Sequence, residues 1–119
     1  MRTVEELIAE YESHGKAFGD ASKAGKYEIS DASGDEMVRV FLELRSRGEE
    51  QALKALLSSH RDRIVRCWAA THLLHVEAEP AVRVLEALSS GSDMVALTAE
   101  TVLSEWRNGT LSPPELSSD

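Results

Sequence analysis

The chain is poor in the residues that fix most small folds by chemistry. It has one cysteine, Cys67, three prolines, and two each of Phe, Trp and Tyr in 119 residues. A single cysteine excludes an internal disulfide and suits a reducing compartment, so a cytoplasmic location is expected. No apolar run approaches the ~20 residues of a membrane span, and the opening Met1–Glu6 turns acidic at once; neither an export signal nor a membrane partner is expected. No stretch alternates with the period of a strand, which excludes a sheet and leaves an all-α fold. Nucleophile-elbow, P-loop and dinucleotide fingerprints are missing too. Gly15-x-x-x-Gly19 lacks both the following Gly-Lys-Ser/Thr and a preceding strand. The expectation is therefore a non-enzymatic chain with no cofactor and no metal.

Charge is plentiful and uneven. The net charge of −8 disfavours nucleic acid, whose phosphates would meet repulsion over most of the surface. Residues 45–66, however, carry six basic and three acidic side chains, between flanks of net −5 and −6. This basic island contains Arg45, Arg47, Lys54, His60, Arg61 and Arg63. Folding alone does not account for it. Dipole complementation by Arg45 and Arg47 at a helix C-terminus is one reading. A recognition patch for an acidic partner or a phosphate group is the other.

Helical periodicity runs through the chain. Thr3 and Glu6 form a capping-box pattern ahead of Val4, Leu7, Ile8 and Tyr11. Gly15 and Gly19 each weaken this helix by about 1 kcal/mol relative to Ala. It either breaks after His14 or continues to about Lys23, with Gly25 as its stop. Residues 27–35 read equally as a loop or as the start of one long helix from Tyr27. From Met37 a helix runs to Gly48, and Glu49–Ser58 forms a short one. Asp62 is a candidate N-cap for a helix carrying Val65, Trp68, Ala69, Leu73 and Leu74. Glu79-Pro80 starts the next, with proline at its first position. Ser92 or Asp93 caps the last, which carries Val95, Ala99, Val102, Leu103 and Trp106 to Gly109.

Two of these segments repeat. Val65, Ala69 and Leu73 recur as Val95, Ala99 and Leu103, thirty positions on, and Leu57-Ser58-Ser59 recurs as Leu88-Ser89-Ser90. Such a period with paired apolar stripes marks stacked helical hairpins. The pattern Asp62-x-x-Val65-Arg66-x-x-Ala69-Ala70-x-x-Leu73-Leu74, with its weaker echo at Asp93-x-Val95-x-x-x-Ala99-x-x-x-Leu103, resembles HEAT repeats. Over residues 3–112 the chain also resembles a family of short bacterial proteins known as a domain of unknown function, number two thousand and nineteen in its series. The matching landmarks are Leu44-Arg45-Ser46-Arg47-Gly48, Ala55-Leu56-Leu57, His60-x-x-x-x-Val65-Arg66, Ala81-x-x-Val84-Leu85-Glu86-Ala87 and Leu103-x-x-Trp106-x-x-Gly109. The resemblance implies a small HEAT-like α fold and no activity. It also implies that Arg66 pairs with an aspartate, Asp62 or Asp93, as a ladder between repeats.

Chemical constellations are thin. His72 and His75 share a helix, and Cys67, Thr71 and His75 follow at every fourth place, but zinc needs three or four convergent ligands. Cys67 beside Trp68 fits a core position better than a nucleophile. Glu5, Glu6, Glu10 and Glu12 fit a solvated helix face better than an acid–base pair. Trp68, Trp106, Tyr11 and Phe41 fit core better than a ligand pocket.

The expectation is thus one HEAT-like domain over residues 1–110 and a flexible tail over 111–119. Its six or so helices form stacked antiparallel hairpins in a short right-handed superhelix. That shape suits binding another protein, with an acidic immunity- or inhibitor-type role as one form. The alternative is a module that takes a small ligand or nucleic acid on the basic island Arg45–Arg66.

Overall fold

The structure, a computed structural model, describes residues 1–58 and 62–113. Among the described residues there are six α-helices and no strand: α1 (Val4–Lys23), α2 (Tyr27–Ser46), α3 (Ala55–Ser58), α4 (Arg63–Leu73), α5 (Ala78–Leu88) and α6 (Met94–Arg107). A 3-10 turn over Glu50–Lys54 leads into α3. The fold is all-α. None of these helices is long and apolar enough to cross a membrane. The helices gather into two compact units, Met1–Ala52 and Leu53–Pro113. Of the 111–119 tail, residues 114–119 lie outside the described residues.

The first unit is the α1–α2 hairpin. Thr3 and Glu6 close a capping box: the Thr3 hydroxyl accepts from the Glu6 N–H at 3.1 Å, and the Glu6 carboxylate accepts from the Thr3 N–H at 2.8 Å. The Thr3 N–H first, and then the Thr3 side chain, hold the Glu6 carboxyl below its ordinary range. Helix α1 does not break at its glycines. Leu7, Tyr11, Gly15 and Gly19 are buried at every fourth place, so the glycines lie on the enclosed face. Gly25, at φ +74°, reverses the chain, and the Lys26 N–H returns to the Ala21 carbonyl at 2.8 Å.

Helix α2 begins at Tyr27, which resolves residues 27–35 as helix. Its buried face starts with Ser30, Ser33 and Gly34 and continues as Met37, Val40, Phe41 and Leu44. With the turn at 24–26, small residues 15 and 19 fall opposite small residues 30–34 across the pair. Both glycines of α1 are thereby covered rather than solvated, despite the intrinsic cost of glycine in a helix. At the open end Arg2 reaches Glu10 at 2.5 Å and Glu43 at 3.5 Å. Arg47 pairs with Glu43 and donates to the Arg2 carbonyl at 2.6 Å.

The second unit holds the repeat. Asp62 caps α4 by accepting from the Ile64 N–H at 2.9 Å, and Asp93 caps α6 by accepting from the Ala96 N–H at 2.9 Å. Ala69 of α4 and Ala99 of α6 are both fully buried, and these two helices touch. Val65, Leu73, Leu85 and Leu88 complete the enclosed faces. Full burial of each such aliphatic side chain contributes roughly 1.5–3 kcal/mol. Helix α5 starts at Ala78, two residues before the expected first position at Pro80, with Glu77 as its N-cap. Pro80 therefore occupies the third helical position. Its missing N–H still costs nothing, because N–H groups of the first turn have no intrahelical acceptor.

Candidate interaction surface

Of the basic island, Arg45, Arg47, Lys54 and Arg63 are among the described residues, and three of them meet carboxylates. Arg47, in the first unit, is occupied by Glu43 and the Arg2 carbonyl. In the second unit Lys54 lies 2.8 Å from the Glu77 carboxylate, and Arg63 lies 3.0 Å from Asp93. Arg45, in the last turn of α2, is exposed and has no ion pair among the described residues. His60 and Arg61 lie outside the described residues. Three of these four side chains are thus countered by carboxylates within their own unit, and Arg45 is not.

Asp93 pairs with Arg63 and not with Arg66. The Arg63 Nη2 also donates to the Leu88 carbonyl at 3.3 Å. Arg66 instead donates through Nε to the Leu57 carbonyl at 3.1 Å, satisfying a carbonyl at the end of α3. The reason is helical phase. Arg63 is the first residue of α4 and points past its end toward the cap of α6, whereas Arg66 lies most of a turn further on, beside α3. Two hydrogen bonds, from the Ala96 N–H first and then Arg63, hold the Asp93 carboxyl below its ordinary range.

The remaining candidates take structural places. His72 is buried and stands edge-on to Trp68, ring centroids 5.4 Å apart. Burial, reinforced by the charge of His75, depresses its pKa to about 3, so it is a neutral imidazole at physiological pH. His75, at the exposed end of the same segment, stands edge-on to Trp106 at 5.2 Å. Burial pushes the Cys67 thiol up to about 11, well away from the thiolate a nucleophile needs. The Thr71 hydroxyl donates to the Cys67 carbonyl at 2.8 Å rather than serving a ligand. Among the described residues no three His, Cys, Asp or Glu side chains gather as a metal site would require. Tyr11 and Phe41 are enclosed within the first unit. Glu6 caps α1, Glu10 meets Arg2, and Glu12 lies 3.8 Å from Lys16.

What the sequence reading passed over is the outer face of α6. Met94 is 74% exposed and Leu97 57% exposed, one helical step of three apart. With Gly91, Ser92, Asp93 and Glu100 they line an open groove of about 420 Å³. The signal was present: Ala96, Ala99 and Leu103 fix the inward face, and positions 94, 97 and 101 fall on the opposite side by the 3.6-residue period. Tyr27 and Ile29, 67% and 51% exposed at the start of α2, are the comparable pair in the first unit. Comparison with known protein families, curated proteins and solved structures gives no match for this chain.

Proposed function

We propose that this chain is a non-enzymatic protein-interaction module, acting in a reducing compartment through the outer face of α6. The observation that carries this reading is the exposure of Met94 and Leu97 side by side on one helix. Single apolar residues at a surface are ordinary, but a neighbouring pair on the rim of a groove is the kind of surface that a partner desolvates. The alanine-faced pairing of α4 with α6 supports it by giving this face a rigid backing. The chemistry of the ionisable groups supports it as well: the buried histidine is neutral, the thiol is protonated, and the two carboxyls with depressed pKa are helix caps. A HEAT-like stack of helical hairpins, of the kind found in the bacterial family that the sequence resembles, is the architecture that fits this use. An acidic inhibitor or immunity protein that covers a basic surface on a toxin or nuclease is one concrete form.

The test is a photo-crosslinking side chain placed at position 97 and, separately, at the exposed Arg83 of α5, in the cells that make the protein. A discrete adduct from position 97 that position 83 does not produce is the expected result. No discrete adduct from 97, or the same adduct from both, overturns the reading.

A further inference from the structure

We infer that the groove at the start of α6 receives a basic amphipathic helix of the partner, one of whose Lys or Arg side chains lies along Met94 and Leu97 with its charge at Glu100. This inference rests on the reading above and names the occupant of the same face.

The walls of the groove are of two kinds. Met94 and Leu97 provide an apolar strip one turn long, and Glu100 stands three residues beyond Leu97 at its end. The two carboxylates of the groove are in different states. Asp93 already accepts from the Ala96 N–H and Arg63, so its charge is countered from within. Glu100 has no ion pair among the described residues. An apolar strip ending in an uncompensated carboxylate matches a side chain with a long aliphatic stem and a terminal cation, which is what lysine and arginine are. The groove opens broadly to solvent, so it suits a side chain delivered by a helix lying across it better than a small molecule that must be enclosed.

Charge decides against the other occupants. An acidic or phosphorylated ligand would meet Glu100 and Asp93. A second copy on this face would bring together two bodies of net charge −8 each, with Glu100 of both chains in the contact. A cationic partner turns the same charges into attraction.

Two synthetic 14-residue helical peptides with the same leucine spacing, one flanked by lysine and arginine and the other by glutamate, are titrated into the isotope-labelled full chain at about 150 mM salt, where non-specific attraction is screened beyond about 8 Å. The basic peptide is expected to shift backbone amides within 91–101, and the acidic one to leave them unmoved. Glu100→Gln and Leu97→Ser, both at exposed positions and checked for unchanged circular dichroism, should each weaken the basic peptide roughly fivefold or more. The inference is overturned if the shifts scatter over the other acidic surfaces, if both peptides bind alike or not at all, or if the variants bind as well as the parent. It is also overturned if sedimentation shows a dimer that Leu97→Ser dissolves. A partner crosslinked at position 97 whose binding ignores Glu100→Gln would remove this inference and leave the interaction reading standing.

Discussion

Arg63, the first residue of α4, meets Asp93, the N-cap of α6, at 3.0 Å across thirty residues of chain. One carboxylate thereby starts a helix and ties it to the start of its repeat partner. Asp93→Ala removes both roles, and should lower the melting temperature by roughly 3–6 °C. Asp93→Asn keeps a capping oxygen and loses the charge, so its loss should be less than half as large. Arg63→Ala should cost little, and its effect should shrink in high salt, since the pair is largely exposed. Differential scanning calorimetry of the three variants at two salt concentrations checks this order.

His72 makes the stability of the fold depend on pH. Its folded pKa of about 3 lies below the ordinary 6.5, so between those values the unfolded chain binds a proton that the folded chain refuses. Stability therefore is at its full value above about pH 6.5 and falls as the pH drops through that window. At pH 5 the loss is about 2 kcal/mol. The carboxyls with depressed pKa, Glu6 and Asp93, add their own losses only at lower pH, in the ordinary carboxylate range. Urea midpoints taken between pH 7.5 and 5 should show the slope, and His72→Leu should abolish it.

Ala69 of α4 and Ala99 of α6 are both fully buried, where an added side chain must displace packed neighbours. Ala99→Leu should destabilise the protein by roughly 1–3 kcal/mol, despite leucine's good helix propensity. The neighbouring exposed change Thr98→Leu should have an effect within about 0.5 kcal/mol. A denaturation curve of each variant distinguishes tight helix contact from simple helix content.

Gly19 tests the first unit in the same way. On an isolated helix Gly19→Leu would gain about 1 kcal/mol of propensity. On the buried face of α1 it should instead lower stability, because a side chain must be accommodated between α1 and α2. Thermal unfolding that rose on this substitution would mean that the helices have room to spare.

Cys67 should react slowly. With its thiol pushed up to about 11 and its side chain buried, little thiolate is present near pH 8. An aromatic disulfide reagent should label the native chain far more slowly than the urea-unfolded chain; equal rates would contradict the burial.

Local chemistry was readable wherever partners lie within a few residues of each other. Thr3 with Glu6, Asp62 before α4, Asp93 before α6, and glycine at positive φ after α1, α2 and α6 are each settled inside a five-residue window. The thirty-residue repeat was readable for a related reason, since Ala69 and Ala99 share a phase with the leucines around them. Gly15 and Gly19 left the length of α1 open, because helix propensity is a property of an isolated helix, and here both glycines lie on a face that the fold buries. The choice of Arg63 over Arg66, and the dispersal of Arg47, Lys54 and Arg63 onto separate carboxylates, depend on directions in space that spacing does not carry.

The sequence by itself determined the all-α class, the caps of α1 and α4 and the glycine turns after α1, α2 and α6, because hydrogen bonds within one turn and the 3.6-residue period are local physics. The tertiary structure decided which cations keep a free charge and which apolar residues stay uncovered on α6. Both depend on what neighbouring helices bring to the same place, and long-range proximity is set by packing rather than by order along the chain.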